Sequence, residues 1–598
     1  MSLHLHVPPM TPSVRMPAGA LILSIVLAPP LALARTPVST GTGGAVATIS
    51  EKASESAIAI LNKGGNAIDA AVAAAATLGV TDPFSCGIGG GGFMVIYLAK
   101  DKRVVTIDHR ETAPAAFSPS VFLENGKPID FDAAVASGAS VGVPGTVRGW
   151  HEALDRYGSM SFRQVLAPAI DVAVKGFQVN DTFSRMVAGN EKKFRQFAST
   201  SQLYLKNGKA PPAGTLMKNP DLARAYRELA AKGYKAFYQG PMADAIVAAV
   251  NRPPLAAGVS VRTGNMTLAD LANYEVRIRQ PVRSTYRGYD LYGMPLPSSG
   301  GIAVAEALNI LEGFDLKAMP RPKVEHLYLE ASRLAFADRN AYLADPEYVD
   351  APVEGMLSKQ FAAQRRSLIR PERAAGAKGP IPAGDAFLYE NDQSFPLRPR
   401  QGVIQQEGLH TTHLTVSDKD GNVVAYTFTL EDWGGSGIVV PGYGFLLNNE
   451  MTDFDFTGPA PNIPEAGKRP RSSMAPTIAL KDGKPAFTIG SPGGATIITT
   501  VLQAIVNYID LGMPMDRAID APRLSQRNAA ETEVEPGFVG SDQARKLEAF
   551  GHKWAASPAP EEIGAANAIV FNPDGTVTAV SEVRRHGIGT ALVQKRAH

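Results

Sequence analysis

The segment from residue 411 to residue 430 predicts a β-hairpin, and this hairpin constrains the fold more strongly than any other part of the sequence. Its two arms are rich in β-branched residues, and the five residues between them are typical of a three-residue loop with Gly421 in the left-handed position. The register set by this loop places Thr411 opposite Thr429. Directly opposed Cβ atoms lie about 4.5–5.5 Å apart, so the two hydroxyl groups should be within hydrogen-bonding reach.

A second hairpin is predicted around Asp482-Gly483, which is a strong two-residue turn signal. Continuing the register set by this turn places Ser472 near Gly493 and Ser473 near Pro492. We therefore expect two serines to lie beside the strand end that precedes a Gly-Gly dipeptide.

Apolar residues recur at helical spacing directly after Gly493-Gly494, from Ala495 to Leu511. The two glycines should therefore lie at a helix N-terminus. Free amide groups and the helix dipole favour an oxyanion or carboxylate there. The alternative interpretation is a glycine turn that only joins a strand to a helix.

The remaining chain predicts a mixture of helices and strands on both sides of residue 410. Residues 370–410 are rich in Pro, Gly, Arg and Gln and predict a flexible arm that leads into Thr411. The strands on either side of this arm could belong to one structure. The predicted elements are two Ala-rich helices within 51–80 that break at 63–66, strands at 93–98 and 104–108, and a mostly helical region at 160–350 with a Pro/Gly loop at 295–301.

The N-terminus predicts a cleaved secretory signal over residues 1–34. Arg15 precedes a short apolar run from Ala18 to Leu27, and Ala32-Leu-Ala34 follows. A buried N-terminal helix is the alternative. No later segment reaches the roughly 18 apolar residues of a membrane span. We therefore expect an exported protein, periplasmic or secreted, without a stable membrane span.

The composition is that of an ordinary globular protein with a large core. The 598 residues are 45% hydrophobic, and the net charge of +2 argues against nucleic acid or an anionic membrane as the main partner. Cys86 is the single cysteine, so an intrachain disulfide is excluded. Its small neighbours favour a buried apolar role for Cys86 over a nucleophilic one.

Ten ordered motifs resemble the γ-glutamyltranspeptidase family, which belongs to the N-terminal-nucleophile hydrolases. They cover nearly the whole chain after residue 60, and five of them fall within about 90 residues of Thr411. The motifs are Asn62-Lys-Gly-Gly-Asn-Ala-Ile-Asp-Ala-Ala-Val72, Gly87-Ile-Gly-Gly-Gly-Gly-Phe93, Asp108-His-Arg-Glu-Thr-Ala-Pro114, Gly142-Val-Pro-Gly-Thr146, Pro297-Ser-Ser-Gly-Gly301, Thr411-Thr-His413, Thr427-Phe-Thr429, Gly444-Phe-Leu-Leu-Asn-Asn-Glu-Met-Thr-Asp453, Lys468-Arg-Pro-Arg-Ser-Ser-Met474 and Gly490-Ser-Pro-Gly-Gly494.

The resemblance implies an α+β fold, a four-layer αββα sandwich with two sheets between helical layers. It also implies a precursor that cleaves itself between His410 and Thr411. Residues 35–410 would form a large subunit and residues 411–598 a small subunit, paired as a heterodimer. The new α-amine of Thr411 has a pKa near 7.7–8.0, so it can act as the base that its weakly nucleophilic hydroxyl needs.

The resemblance further implies a role for each site residue. Thr411 would be the nucleophile, Thr429 its hydrogen-bond partner, and the amides of Gly493 and Gly494 the oxyanion hole. Arg110, Ser472 and Ser473 would bind the α-carboxylate of the donor, and Glu450 and Asp453 its α-ammonium. The donor would be glutathione or a related γ-glutamyl amide, and the acceptor would be water, an amino acid or a peptide. The reaction requires no metal and no organic cofactor.

Two positions depart from the pattern of the best-known members of the family. Glu431 stands where asparagine is common, and it would add a third carboxylate near the donor ammonium. Only 18 residues separate Asp453 from Ser472. Several relatives have a longer lid-forming loop there, so a more open cleft is expected here.

Three other functions remain as alternatives. A glutaryl-type acylase, acting for example on cephalosporin side chains, could use the same scaffold. Its donor lacks an α-ammonium, so the three carboxylates would face one another unpaired. An exported binding protein with a degenerate site would stay uncut. Residues 138–142 match the G-x-S-x-G nucleophile elbow, but Pro144 disfavours the helix that such an elbow requires.

Overall fold

A computed structural model of the chain describes residues 37–375, 379–391, 410–558, 563–583 and 589–595. The predicted signal over residues 1–34 lies outside these residues, as does part of the predicted arm over 370–410. No helix within the described ranges is long and apolar enough to cross a membrane.

The strands of the described residues are short and mostly buried. In chain order they are β1 (Val38–Gly41), β2 (Ala45–Thr48), β3 (Gly91–Leu98), β4 (Arg103–Asp108), β5 (Leu123–Glu124), β6 (Lys127–Pro128), β7 (Phe177–Gln178), β8 (Leu216–Met217), β9 (Arg277–Arg279), β10 (Val282–Tyr286), β11 (Tyr289–Gly293), β12 (Thr412–Ser417), β13 (Val423–Thr429), β14 (Thr477–Lys481), β15 (Lys484–Gly490), β16 (Leu524–Ser525), β17 (Thr532–Val534), β18 (Trp554–Ala556), β19 (Asn567–Phe571), β20 (Val577–Ser581) and β21 (Thr590–Val593).

The helices lie mainly between β2 and β12. In chain order they are α1 (Glu51–Asn62), α2 (Ala67–Thr81), α3 (Phe131–Val135), α4 (Thr146–Tyr157), α5 (Phe162–Lys175), α6 (Asp181–Gly189), α7 (Glu191–Phe194), α8 (Ala198–Tyr204), α9 (Pro220–Lys232), α10 (Lys235–Tyr238), α11 (Pro241–Asn251), α12 (Leu268–Ala272), α13 (Gly300–Leu311), α14 (Arg321–Tyr342), α15 (Val353–Leu357), α16 (Lys359–Arg366), α17 (Thr496–Ile509), α18 (Met515–Asp520) and α19 (Asp542–Glu548).

Two seven-stranded antiparallel sheets form the centre of the molecule. The first sheet has the strand order β1-β20-β19-β15-β14-β11-β10, and the second has the order β21-β2-β12-β13-β3-β4-β9. Strands β12 and β13 of the second sheet pack on β15 and β19 of the first. Helices α1 and α2 cover the outer face of the second sheet, and α13 and α17 cover that of the first. These four layers confirm the predicted α+β fold and its αββα sandwich.

The Ala-rich segment forms α1 and α2 as predicted, separated at Lys63-Gly64-Gly65-Asn66. Asn66 accepts hydrogen bonds from the amides of Ile68 and Asp69, and the Asp69 side chain accepts from the Asn66 amide, which forms a capping box. Residues 67–80 are all buried. Because most of these side chains are small, α2 packs closely against α1, α5 and the sheet on all of its faces.

The first predicted hairpin has the predicted register. Residues pair from Thr412 with Phe428 to Ser417 with Val423, and β13 also pairs with β3. The strands on either side of the predicted arm therefore belong to one sheet, as expected. Asp418 closes the loop, because its amide donates to the Asn422 carbonyl at 3.1 Å.

The register predicted for the second hairpin is wrong beyond its first two pairs. Asp482 and Gly483 form the turn as expected, both with positive φ. A β-bulge between Ala479 and Leu480 then shifts the pairing by one residue, next to Pro485. Proline has no amide hydrogen for the ladder and is found at such irregular positions.

The one-residue shift changes the partner of Ser472. The two strands separate before this residue, and Ser472 forms a parallel bridge with Ser298 instead of lying opposite Gly493.

Strands β9, β10 and β11 also lie in the region predicted as mostly helical. Val282–Tyr286 alternates buried and exposed residues, which is the pattern of a strand with one buried face.

Candidate active site

Thr429 joins the two residues that flank the predicted cleavage point. The hydroxyl of Thr411 donates to the Thr429 Oγ1 at 3.2 Å, and the Thr429 hydroxyl donates to the carbonyl oxygen of His410 at 2.8 Å. The Glu431 amide donates to the same Thr429 Oγ1 at 2.8 Å. This arrangement follows from the hairpin register, which places Thr411, directly before β12, beside the end of β13.

The arrangement can assist an attack by Thr411 on the His410 carbonyl. A hydrogen bond to the carbonyl oxygen draws electron density from the carbon, and it would strengthen as negative charge develops on that oxygen. The three residues are buried, with exposures of 8% for His410, 6% for Thr411 and 1% for Thr429. Water therefore competes little for these hydrogen bonds.

A small cavity beside Thr411 collects most of the predicted site. Its volume is about 20 Å³, which is room for about one water molecule. Nine of the eleven predicted residues line it, and His410 and Gly493 do not. No described residue between Asp453 and Ser472 lines it either. The lining residues are Arg110, Thr411, Thr429, Glu431, Glu450, Asp453, Ser472, Ser473, Met474, Gly494 and Ile497.

Arg110 is the buried cation of this cavity. Its guanidinium forms ion pairs with Glu450 and Asp453, and it donates to the carbonyl of Pro470 at 3.2 Å and that of Arg471 at 3.0 Å. Burial by itself lowers the pKa of Arg110, but the neighbouring carboxylates outweigh burial and raise it. Arg110 therefore stays charged, and the two carboxylates and the two backbone carbonyls together fix the orientation of its guanidinium.

The carboxyl groups around Arg110 resist ionisation. Burial raises the pKa of Glu431 and of Glu450 well above the ordinary value, and the charge of Asp453 raises both further. Burial also raises the pKa of Glu111, to about 7. One cation thus faces four acidic groups, and burial favours the protonated form of Glu111, Glu431 and Glu450. A second cation placed here would let those groups ionise.

Glu431 occupies an unusual backbone position. Its φ is +83°, and its carboxylate accepts hydrogen bonds from the Asn449 amide group and from the Thr452 hydroxyl, the latter at 3.4 Å. Asn449 and Thr452 belong to the same short turn as Glu450. The third carboxylate is therefore held in the site by neighbours, in spite of the cost of its burial.

The two serines are positioned by a loop and by a second buried arginine. The Ser472 carbonyl accepts from the amide and the hydroxyl of Ser299, at 2.8 and 2.6 Å. Arg339 in α14 donates to the Ser299 Oγ at 2.8 Å and to the Ser473 Oγ at 2.6 Å. The predicted Pro/Gly loop at 295–301 thus connects the serines to α13 and α14.

The Gly493-Gly494 pair lies directly before α17, as predicted. Both glycines have positive φ, +125° and +52°. A Cβ added to Gly493 would lie only 2.4 Å from the Thr496 Oγ1, so this position tolerates no side chain. Gly494 and Thr411 line the same cavity, so the segment that leads into α17 borders the threonine site.

Sequence reasoning overlooked three residues that shape the site: Glu111, Arg339 and Asn449. Glu111 and Asn449 lie inside motifs that were recognised, next to Arg110 and Glu450. The only available signal was that adjacency. Arg339 had no signal, because its contact with Ser473 spans 134 residues of sequence and depends on the packing of α14.

Two other candidate nucleophiles, Ser140 and Cys86, are buried in the structure. Ser140 of the G-x-S-x-G match is buried, and its hydroxyl donates to the Val135 and Ser137 carbonyls at 2.9 and 2.8 Å. Cys86 is buried, and burial raises the pKa of its thiol well above the ordinary value. The described residues contain no cluster of His, Cys, Asp and Glu suited to a metal ion.

Comparison with known proteins finds relatives over nearly the whole chain. The chain is 40% identical over 563 residues to the glutathione hydrolase proenzyme of Bacillus subtilis strain 168, covering 94% of this chain and 93% of that protein. It is 38% identical over 563 residues to the acylase ACY 1 proenzyme of Pseudomonas sp. strain V22, covering 93% and 94%.

The fold is similar to solved structures as well. The crystal structure of a cephalosporin acylase from Bacillus halodurans superposes with a TM-score of 0.81 at 27% identity, covering 94% of this chain and 97% of that one. The family model described as Gamma-glutamyltranspeptidase matches residues 53–592. The family predicted from the motifs is therefore confirmed: the chain belongs to the γ-glutamyltranspeptidase family.

Proposed function

We propose that the chain is a proenzyme that cleaves its own His410–Thr411 bond and then uses Thr411 to transfer γ-glutamyl groups. The observation that carries this proposal is the position of Thr429. Its hydroxyl contacts both the Thr411 hydroxyl and the His410 carbonyl. That position suits the attack of Thr411 on this one carbonyl.

Self-cleavage would proceed through an ester. The Thr411 Oγ1 attacks the His410 carbonyl carbon, and the Thr429 hydroxyl stabilises the oxyanion. The carbon–nitrogen bond breaks, the nitrogen of Thr411 takes a proton, and His410 becomes esterified to Thr411. Water then hydrolyses the ester, which leaves a carboxylate on His410 and a free amine and hydroxyl on Thr411. The cavity beside Thr411 has room for that water.

Turnover would repeat this chemistry on an external amide. Roughly a third of the α-amine of Thr411 is neutral near pH 7.5, against about 0.1% of an ordinary lysine. The amine takes the hydroxyl proton as Thr411 attacks the donor carbonyl, and it passes the proton to the departing amine. The amides of Gly493 and Gly494 stabilise the oxyanion. Water or an amine then attacks the γ-glutamyl ester and frees Thr411.

Donor recognition would insert two opposite charges into the cluster around Arg110. The cavity of the uncut chain has room for about one water molecule, so it would have to widen after cleavage. The donor α-carboxylate takes the guanidinium, assisted by Ser472 and Ser473, and the α-ammonium takes the carboxylates of Glu431, Glu450 and Asp453. The ammonium would supply the second cation that this acidic site needs. Glutathione and related γ-glutamyl amides carry both charges.

An acylase acting on glutaryl-type amides is the second candidate, because acylase ACY 1 proenzymes are among the relatives. A glutaryl donor lacks the α-ammonium. No second cation would then enter the site, and the cost of burying Glu431 and Glu450, which raises the pKa of both, would stay uncompensated. The γ-glutamyl donor is favoured for this reason.

The precursor organisation belongs to the same proposal. Residues 1–34 would be removed as a secretory signal, residues 35–410 would form the large subunit, and residues 411–598 the small subunit. The mature enzyme would be an exported heterodimer. A binding protein with a degenerate site would instead remain a single chain.

The decisive experiment is N-terminal sequencing of the smaller band on a denaturing gel. We expect the sequence Thr-Thr-His-Leu. Thr411→Ala should stay a single chain and be inactive, and Thr412→Ala, which alters the neighbouring threonine, should still cleave. A single uncut band from active wild-type protein would contradict the proposal.

A comparison of γ-glutamyl and glutaryl anilides separates the two candidate activities. We expect faster hydrolysis of the γ-glutamyl compound. Glu431→Asn should narrow this preference by raising KM for the γ-glutamyl anilide. An unchanged KM in this variant would show that Glu431 does not contact the donor ammonium.

A further inference from the structure

Arg339 binds two segments that meet at the candidate active site. It lies near the end of α14, and only 2% of it is exposed. Its guanidinium donates to the Ser299 Oγ at 2.8 Å, to the Ser473 Oγ at 2.6 Å and to the Asn340 Oδ1 at 2.9 Å. The donors of a guanidinium have a fixed planar geometry. One side chain of α14 therefore fixes the positions of two serine hydroxyl groups relative to each other.

Ser299 extends this restraint to Ser472. The Ser299 hydroxyl and amide both donate to the Ser472 carbonyl, at 2.6 and 2.8 Å. The Ser472 amide donates in turn to the Pro297 carbonyl at 3.0 Å. Because the Ser299 oxygen accepts from Arg339 while its proton is donated to Ser472, one hydroxyl group links the guanidinium to the backbone of Ser472.

The hydroxyl oxygens of Ser472 and Ser473 both accept hydrogen bonds from the protein. The Ser473 Oγ accepts from Arg339, and the Ser472 Oγ accepts from the Met474 amide at 3.1 Å. A serine hydroxyl has one proton and two lone pairs, so an oxygen that accepts in this way can donate its proton to a ligand. Both serines line the cavity beside Thr411. A carboxylate bound there would accept from two hydroxyl groups, and the bond from the guanidinium polarises that of Ser473.

Arg110 and Arg339 hold the same short segment, residues 470–473, by different groups. Arg110 donates to the carbonyls of Pro470 and Arg471 at 3.2 and 3.0 Å, whereas Arg339 donates to the side chain of Ser473. The backbone at the start of the segment is thus fixed by one arginine, and the hydroxyl group at its end is oriented by the other.

We propose that Arg339 is a positioning residue for the acyl donor. It orients the Ser473 hydroxyl and fixes Ser472, and it thereby sets the affinity for donors that carry a carboxylate at the end remote from the reacting carbonyl. This inference rests on the proposed function, in which the two serines assist Arg110 in binding the α-carboxylate. Arg339 does not line the cavity, so it acts through the serines.

The test uses three anilide donors that differ only in their charged groups. The γ-glutamyl anilide carries a carboxylate and an ammonium, the glutaryl anilide only the carboxylate, and the 4-aminobutyryl anilide only the ammonium. Affinity is measured as KM, or as an inhibition constant where turnover is slow, for the wild type and for Arg339→Met. Methionine has a long unbranched side chain without hydrogen-bond donors.

We expect Arg339→Met to raise KM for the γ-glutamyl and glutaryl anilides by about 10–100-fold, the usual size of a hydrogen bond to a charged group. The change in kcat should be small, because the lost contact binds the ground state and the transition state alike. KM for the 4-aminobutyryl anilide should change little. A general disturbance of the fold would instead affect all three donors.

Arg333→Met is the matched control. Arg333 belongs to the same helix and is also only 2% exposed, but it pairs with Glu330 and donates to the Ala529 carbonyl at 2.7 Å, and it does not line the cavity. Its substitution removes a buried guanidinium of α14 without touching the serines. It should leave the KM of all three donors unchanged, even where it lowers Tm.

A double-mutant cycle tests whether Arg339 acts through Ser473. Ser473→Ala removes the hydroxyl that Arg339 orients, so Arg339→Met should raise KM less in this background than in the wild type. Ser299→Ala breaks only the link to Ser472 and should raise KM for the two carboxylate donors by about 2–10-fold. It serves as the test if Arg339→Met yields no mature enzyme. Equal KM changes for all three donors, no change, or an undiminished effect in Ser473→Ala would overturn the inference.

The inference and the proposed function fail in different ways. A wild type that hydrolyses the γ-glutamyl anilide, with an Arg339→Met variant of unchanged KM, contradicts only the role of Arg339. A wild type that prefers the glutaryl anilide contradicts the γ-glutamyl assignment, and Arg339→Met should still raise KM for that donor.

Discussion

At the residue scale, the Thr429 hydroxyl joins the two residues on either side of the proposed cleavage point. In the uncut chain it accepts from Thr411 and from the Glu431 amide and donates to the His410 carbonyl. Its donor and acceptor capacities are all in use. Valine has nearly the same shape without the hydroxyl, so Thr429→Val removes these contacts and preserves the packing of β13.

We expect Thr429→Val to slow self-cleavage by about 10²–10³-fold, which is the usual cost of losing one oxyanion donor. The measurement is the fraction of uncut chain on denaturing gels over time. Thr429→Ser retains the hydroxyl and should cleave at a rate close to that of the wild type. Cleavage of the valine variant at the wild-type rate would remove Thr429 from the mechanism.

Glu111 makes stability depend on pH. Burial raises its pKa from 4.5 to about 7 in the folded state, so the folded protein binds this proton more tightly than the unfolded chain. Its contribution to stability is therefore fully present below about pH 4.5 and is lost as the pH rises through about 7. Glutamine mimics the protonated form and does not titrate.

We expect Glu111→Gln to raise Tm relative to the wild type by about 1–3 °C at pH 8, and to have little effect at pH 4.5. Thermal unfolding at the two pH values tests this difference. Glu55→Gln is the control, because Glu55 is half exposed and should give the same small change at both. A larger increase in Tm at pH 4.5 than at pH 8 would show that the pKa of Glu111 is not raised in the folded protein.

At the scale of single elements, the proposed function assigns turnover and self-cleavage to different oxyanion donors. The His410 carbonyl is bound by Thr429, whereas the Gly493-Gly494 amides lie at the N-terminus of α17. The two proposed oxyanion sites are therefore different groups. A change at Gly493 should affect the external donor more than the internal bond.

We expect Gly493→Ala to lower kcat by at least about 10²-fold while self-cleavage persists, because the added Cβ would collide with Thr496 and displace the amides. Gly483→Ala is the matched control. Gly483 also has positive φ but has open space around it, so its cost should be about 1 kcal/mol of stability without loss of kcat. Equal kcat in the two variants would contradict the role of Gly493.

The elements that could be predicted are those with local causes. The first hairpin has a recognisable turn sequence and regular strands, so its register could be predicted from the sequence. The second hairpin contains a bulge beside Pro485, and the two strands separate before Ser472. Strands β10 and β11 were missed because they are short and lie within a helix-rich stretch, and the pairing of β11 with β14 is long-range.

At the scale of the whole molecule, each of the two sheets contains strands from both sides of the proposed cleavage point. In the second sheet, β12 and β13 lie between β2 and β3. In the first sheet, β14 pairs with β11, and β20 pairs with β1. Cleavage at His410 therefore leaves two fragments that share both sheets and the core between them.

We expect the two fragments to co-elute in size-exclusion chromatography under native conditions and to separate only in denaturant, together with loss of activity. Neither fragment can bury its strands alone, because each would leave unpaired sheet edges. The Thr411→Ala precursor provides the elution reference for the intact chain. Separate elution of the fragments in native buffer would contradict this account of the sheets.

The sequence by itself determined the local features: the hairpin register that places Thr411 beside Thr429, the helix that follows Gly493-Gly494, and the family. These depend on neighbours along the chain, where turn chemistry and side-chain periodicity act. Only the tertiary structure decided that Arg339 supports Ser473 and that Glu111 lies beside Glu450. Those contacts join residues far apart in sequence, and their energies come from packing and burial that no local pattern encodes.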